Sequence, residues 1–122
     1  MTNSNRFAPY DADALPAAIV RYLAAKDDIR GRESIIDVFA ADASVTDERI
    51  RYDGRDAILG WLGTVATEFT YTTTLIGQRR EGDSGWVVLA RLEGDFPGGI
   101  AELGFRFTVQ ADHIAELVIA PV

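Results

Sequence analysis

The spacing of hydrophobic residues changes near the middle of the chain. In the first half they recur every three or four residues, and from about residue 69 onward they alternate with polar residues. The first spacing predicts amphipathic helices, and the second predicts strands with one buried face. Helices followed by a run of strands indicate an α+β domain in which the helices cover one face of a sheet.

Three helices are expected in the first half, over residues 13–26, 32–40 and 55–65. Asp13 is the expected N-cap of the first helix, because a short acceptor side chain there satisfies the first backbone N–H groups. Residues 1–12 are polar and predict a loose lead-in to one domain, residues 13–122.

The segments outside the three expected helices are predicted to form strands. A short strand over 43–47 and a hairpin return over 50–53 are expected between the second and third helices. Four further strands are expected from their alternation, joined by short Gly- and Asp-containing turns, which predicts an antiparallel meander. Their expected ranges are 69–78, 86–93, 100–110 and 114–120.

The strand over 86–93 is apolar on both faces. Trp86 and Val88 share one face, and Val87 and Leu89 share the other. The helices can cover only one face of the sheet, so the apolar side chains on the outer face must be buried against something else. We therefore expect a homodimer through the outer sheet face.

Composition narrows the classes of function. The chain has 122 residues, of which 48% are hydrophobic and 25% charged, as in an ordinary soluble domain. Its net charge of −7 argues against nucleic acid and anionic membranes as partners. The chain has no cysteine and a single histidine, so neither a metal site nor a cofactor is expected. The absence of cysteine and of a signal-like apolar run predicts a cytoplasmic protein.

Asp47 is the strongest candidate for a catalytic residue. It shares a strand face with Val45, which must be buried if the helices cover that face. A carboxylate in such a place can serve as a general acid or base. The alternative is that Asp47 only ends its strand and caps the following turn. Tyr22 lies on the stripe of the first helix and is either a core tyrosine or a hydrogen-bond donor to a ligand.

Two segments carry a resemblance to a known family. Residues 38–47, VFAADASVTD, and residues 52–58, YDGRDAI, resemble the nuclear transport factor 2-like superfamily, which includes ketosteroid isomerase and the SnoaL-type polyketide cyclases. The resemblance implies a cystatin-like, cone-shaped fold. In it a strongly curved antiparallel sheet wraps around three helices and encloses an apolar pocket, without a cofactor.

The resemblance also implies roles for single residues. Asp47 falls at the catalytic base, and Tyr22 at a tyrosine that supports the oxyanion network. Leu62 and Leu103 fall where the isomerase has its two oxyanion donors, and Phe39 where it has a supporting tyrosine. That reaction needs a base and both donors, and one lost donor costs about 100- to 1000-fold in rate. A true steroid isomerase is therefore not expected.

Three functions stay open. The first is a cofactor-independent acid/base enzyme with Asp47 as general base, acting on an apolar or cyclic substrate. The second is a non-catalytic ligand-binding protein, and the third is a dimeric interaction domain. Apolar and aromatic residues at these spacings are also explained by an ordinary core. The expected pocket wall consists of Phe39, Val45, Trp61, Leu62, Phe69, Tyr71, Leu103, Phe105 and Phe107.

Overall fold

The computed structural model describes residues 7–26, 33–68 and 71–122. Within these ranges the chain forms one seven-stranded sheet, in the order β1-β4-β5-β6-β7-β2-β3, and two α-helices. The strands are β1 (Ala8–Pro9), β2 (Phe39–Asp47), β3 (Ile50–Asp53), β4 (Tyr71–Glu81), β5 (Gly85–Gly94), β6 (Ile100–Gln110) and β7 (His113–Pro121). The helices are α1 (Ala17–Ala25) and α2 (Gly54–Glu68). The predicted α+β class is confirmed.

The predicted meander is confirmed, but the sheet is mixed and not purely antiparallel. Strands β4 to β7 pair antiparallel in sequence order, and β2 and β3 form the expected hairpin. The correction is that β2 pairs with β7 in parallel, with Val45 opposite Leu117. Parallel neighbours need a long connection, and here α2 and the whole meander supply it.

The helical prediction was wrong at two points. Asp13 does not cap α1: its backbone N–H donates to Asp11 Oδ1 at 3.0 Å in a short 3-10 helix, and α1 starts after Pro16. The second expected helix is a 3-10 helix over Glu33–Val38, and Phe39 already belongs to β2. This segment is rich in β-branched residues, which favour extended backbone, and six residues are too few for a stable α-helix.

The N-terminal segment is tied to the sheet. Ala8 pairs with Gln78 on β4, and the Asp11 backbone N–H donates to the Gln78 side-chain oxygen at 2.8 Å. Residues 8 and 9, which the sequence placed in a loose lead-in, therefore form an edge strand. Pro9 is compatible with that place because an edge strand does not need every N–H group.

The core lies between the inner face of the sheet and the helices. Tyr22 on α1 meets Phe39 and Phe107 edge-on, with ring centroids 5.9 Å and 5.8 Å apart. All three side chains are almost fully buried. Edge-to-face contacts stabilise the fold beyond the burial of apolar area, and they fix how α1 packs on the sheet.

Candidate functional site

A cavity of about 860 Å³ lies at one end of the inner sheet face. Its size is in the range of small-molecule sites, and most of its wall is apolar. Both α-helices, the β2–β3 turn and the β5–β6 loop contribute to the wall. The wall residues are Tyr22, Lys26, Asp47, Glu48, Arg49, Trp61, Leu62, Tyr71, Leu92, Phe96, Pro97, Ala101, Leu103, Phe105, Ile119, Ala120 and Pro121.

Asp47 lies in this wall at the last position of β2 and is half-buried. The indole Nε1–H of Trp61 on α2 donates a hydrogen bond to Asp47 Oδ2 at 3.0 Å. Tyr52 on β3 packs near Trp61, with ring centroids 6.1 Å apart. Asp47 is thus the last residue of β2 and also contributes its carboxylate to the cavity wall. The Trp61 indole fixes the orientation of that carboxylate.

Helix α2 is anchored so that Trp61 faces β2. The Arg55 guanidinium, in the first turn of α2, donates two hydrogen bonds to the Phe39 carbonyl, at 2.8 Å and 3.1 Å. Ile58, between Arg55 and Trp61, is fully buried. Both contacts position α2 over β2, and the contact between Trp61 and Asp47 follows from this placement.

Sheet register relates Asp47 to the far wall of the cavity. Asp47 pairs with Ile119 on β7, and Ile119 pairs with Phe105 on β6. The three residues form one row across the inner face. Neighbouring strands are about 4.8 Å apart, so the Cα atoms of Asp47 and Phe105 are about 10 Å apart.

Not every residue expected in the wall reaches the cavity. Trp61, Leu62, Tyr71, Leu103 and Phe105 do, as does Tyr22, which is 2% exposed. Phe69 lies outside the described residues.

Three expected wall residues lie in the core behind the cavity. Phe39, Val45 and Phe107 are completely buried and do not contribute to the wall. Val45 and Phe107 share the row through Leu117, one pleat away from the row of Asp47. Alternation identifies the face of a strand but not how far along it a cavity extends, so the sequence could not separate these rows.

Sequence analysis missed several wall residues, and Lys26 is the buried charged one among them. It follows α1 directly, and the side chain is buried with 5% of the residue exposed. From the sequence it is an ordinary cation at a helix C-terminus, where the helix dipole favours positive charge. The signal that could have identified it is its spacing: Lys26 lies four residues after Tyr22, on the same helical face.

The turn at the cavity rim has unusual backbone angles. Glu48 and Arg49, which join β2 to β3, have φ values of 52° and 68°. Two left-handed residues define a hairpin turn that normally contains Asn and Gly. This strained turn directly follows Asp47.

Among the described residues, no group of three His, Cys, Asp or Glu side chains is arranged to hold a metal ion. In that same part of the chain, neither helix is long and apolar enough to cross a membrane.

Comparison with solved structures places the chain in a family. A candidate polyketide cyclase from Sinorhizobium meliloti is 31% identical, with a TM-score of 0.82, over 91% of this chain and 100% of that one. No protein-family model matches the sequence. None of the curated proteins matches it either. The chain belongs to the nuclear transport factor 2-like superfamily, among the SnoaL-like and ketosteroid isomerase-like proteins, as the two sequence segments indicated.

Two more distant structures share the fold and contain small molecules. A Catenulispora acidiphila protein with a ketosteroid isomerase-like fold, in complex with trimethylamine, is 18% identical, with a TM-score of 0.74, over 88% of this chain and 86% of that one. A Mycobacterium tuberculosis protein in complex with estradiol-17β-hemisuccinate is 15% identical, with a TM-score of 0.66, over 86% of this chain and 93% of that one. At these identities the likeness concerns the fold alone.

Proposed function

We propose that the cavity binds a small apolar or cyclic molecule and that Asp47 transfers a proton on it without a cofactor. The observation that carries this proposal is a carboxylate in an apolar cavity wall, held there by Trp61 at 3.0 Å. Relatives that hold trimethylamine and an estradiol derivative support binding by this fold.

The position of Asp47 in the cavity wall suits a general base better than the position of a solvated carboxylate on the protein surface would. A carboxylate has about four lone-pair positions, and Trp61 uses one of them. A fixed carboxylate beside an apolar ligand can take a proton from a carbon next to a carbonyl group. Leu62 and Leu103 are both in the wall and offer no hydrogen to the enolate oxygen. This favours a reaction other than steroid isomerisation.

Non-catalytic binding is the second candidate, and the apolar side chains of Leu62 and Leu103 favour it. Both candidates share the binding step, so this step is tested first. The probe is N-phenyl-1-naphthylamine, a neutral fluorophore whose emission rises in apolar surroundings.

Filling the cavity should abolish binding of this probe. Ala101 lies in the wall on β6, and Ala101→Trp places an indole in the cavity. We expect the wild type to bind saturably and the variant to bind at least 10-fold more weakly, because the apolar contact area is lost. Ala24→Trp, on the exposed side of α1, is the matched control and should bind as the wild type does. Equal titration curves for Ala101→Trp and wild type would rule out this cavity.

The outer face of the sheet supports a further element of the proposal, a homodimer. Val87, Leu89 and Val118 lie on this face and line a groove of about 250 Å³. Arg91, on the same face of β5, has a buried Nε atom without a hydrogen-bond acceptor in the described part of the chain. Glu102 pairs with Arg91 across the strands, so the face presents both signs of charge around an apolar centre. Such a face can be complementary to itself about a two-fold axis.

Placing a charge in this face should separate the copies. For the wild type we expect one sedimenting species of twice the chain mass at micromolar concentration. Leu89→Arg should shift it to a single chain, because an unpaired charge in an apolar interface is costly. Ile50→Arg, at an exposed position on β3, is the control and should remain dimeric. A wild type that sediments as a single chain at every concentration would contradict the dimer.

A further inference from the structure

Asp47 brings a negative charge into the cavity wall, and no cation among the described residues forms an ion pair with it. The ion pairs in that part of the chain involve other carboxylates, those of Asp53 and Glu81. Asp47 Oδ2 receives a hydrogen bond from the neutral Trp61 indole at 3.0 Å. Within the described residues Oδ1 has no protein donor, so water or a ligand must solvate that atom.

The two cations of the described cavity wall, Lys26 and Arg49, have other positions. Lys26 Nζ donates a hydrogen bond to Thr73 Oγ1 at 3.0 Å and lies 5.3 Å from the Phe105 ring centroid. Phe105 is two strands away from Asp47, with about 10 Å between their Cα atoms. Arg49 is exposed in the turn at the rim. Neither cation therefore neutralises the Asp47 carboxylate by direct contact.

An apolar ligand that fills the cavity displaces water from this carboxylate. A neutral hydrocarbon would leave Oδ1 with neither water nor a donor, and this desolvation costs free energy. A positively charged group on the ligand would replace the lost water by Coulomb attraction, which is stronger where water is excluded. The net charge of −7 attracts cations to the protein over a longer distance as well.

We infer that the ligand is an apolar cyclic molecule with one positively charged nitrogen, and that this nitrogen lies beside Asp47. The inference rests on the proposed binding and proton transfer and names the class of substrate. An iminium ion, in which the charge belongs to a C=N⁺ group, fits both parts of that function. Its charge pairs with the carboxylate, and it acidifies the C–H bonds on the neighbouring carbon.

Proton transfer from an iminium ion creates no oxyanion. One C–H bond next to the C=N⁺ group breaks, and the Asp47 carboxylate takes the proton. The electron pair of that bond forms a C=C bond, and the π pair of C=N⁺ moves to nitrogen, so a neutral enamine and a neutral carboxyl group result. A ketone would instead form an enolate oxygen, to which Leu62 and Leu103 offer no hydrogen. Apolar side chains at these two positions suit a charge that disappears during the reaction.

Two molecules of the same shape test the charge on the wild-type protein. 1,2-Dimethyl-3,4-dihydroisoquinolinium is an iminium ion, and 1,2-dimethyl-3,4-dihydronaphthalene is the neutral hydrocarbon with carbon in place of nitrogen. Each is titrated against bound N-phenyl-1-naphthylamine, and the displacement of that fluorophore gives the affinity. We expect the iminium ion to bind at least about 10-fold more tightly than the hydrocarbon, because close pairs of opposite charge contribute that much in buried interfaces.

Replacing the carboxylate should remove this preference. Asp47→Asn keeps the shape of the side chain and the Trp61 hydrogen bond, so binding of the hydrocarbon should stay within about twofold. Binding of the iminium ion should weaken at least about 10-fold, because the charge pair is lost. Asp42→Asn removes the same charge from an exposed position on β2 and is the matched control. Deuterium entering the methyl group next to C=N⁺ in D₂O, followed by NMR, measures the proton transfer.

The outcomes separate the class of ligand from the function on which it rests. Failure of N-phenyl-1-naphthylamine to bind the wild type would overturn the binding function itself. Binding of that fluorophore, with the hydrocarbon displacing it as well as the iminium ion does, would overturn the ligand class alone, and this comparison needs no variant. Equal losses of preference in Asp47→Asn and Asp42→Asn would assign the effect to net charge and also overturn the ligand class. A preference for the iminium ion without faster deuterium exchange would support the ligand class and overturn the proton transfer.

Discussion

Replacing Asp47 by asparagine is expected to slow proton exchange on a cyclic ketone about 100- to 1000-fold. The amide has nearly the same shape and still accepts the Trp61 hydrogen bond, but it cannot take up a proton. General-base catalysis contributes a factor of this size in enzymes. The measurement follows deuterium entering the α-position of 2-tetralone in D₂O by NMR, with each protein at the same concentration.

Two controls make the result specific to the carboxylate. Asp42→Asn removes the same charge from an exposed position on β2 and should leave the exchange rate unchanged. Asp47→Asn should still bind the neutral naphthylamine, because the cavity keeps its volume and its apolar wall. Equal losses of exchange rate in Asp47→Asn and Asp42→Asn would assign the effect to net charge and contradict the catalytic role of Asp47. A wild type that exchanges no faster than buffer would leave only the binding function.

Phe107→Ala is expected to lower the free energy of unfolding by about 3–5 kcal/mol, a large share of the stability of a small domain. The ring is 0% exposed and packs edge-on against Tyr22, so its removal leaves a closed void in the core. Phe105, two residues earlier on the same face of β6, offers a matched comparison. It borders an existing cavity, so Phe105→Ala enlarges that space and should cost about 1 kcal/mol less.

Ligand binding should follow the opposite order. Phe105→Ala removes a ring from the cavity wall and should weaken binding of N-phenyl-1-naphthylamine, whereas Phe107→Ala should bind it normally while it remains folded. Urea denaturation gives the stabilities, and fluorescence titration in the absence of urea gives the affinities. Equal stability losses for the two variants would contradict the assignment of Phe107 to the core and Phe105 to the cavity wall.

The sequence predicted those features that depend on neighbouring residues. Alternation gave β6 with its correct ends, and it placed Phe105 and Phe107 on the inner face. It could not give the parallel pairing of β2 with β7, because no local signal selects a partner strand so far along the chain.

The candidate site was predictable to the same extent. Asp47 could be placed by strand parity and by the family resemblance. Trp61 was expected in the wall, but its hydrogen bond to Asp47 depends on how α2 lies over β2. Lys26 was missed because a cation that ends a helix usually extends into water. Only the tertiary contacts of the Lys26 side chain with Thr73 on β4 and Phe105 on β6 show that it does not.

The parallel pairing of β2 with β7 also has a kinetic consequence. The meander and the β2–β3 hairpin are built from local contacts, which form early because they close short loops. The β2–β7 ladder joins Asp47 to Ile119 across most of the chain, so its formation carries the largest loss of chain entropy. Asp47 can meet the part of the cavity wall formed by β6 and β7 only when that ladder closes, so during refolding the ability to bind a ligand should be recovered last.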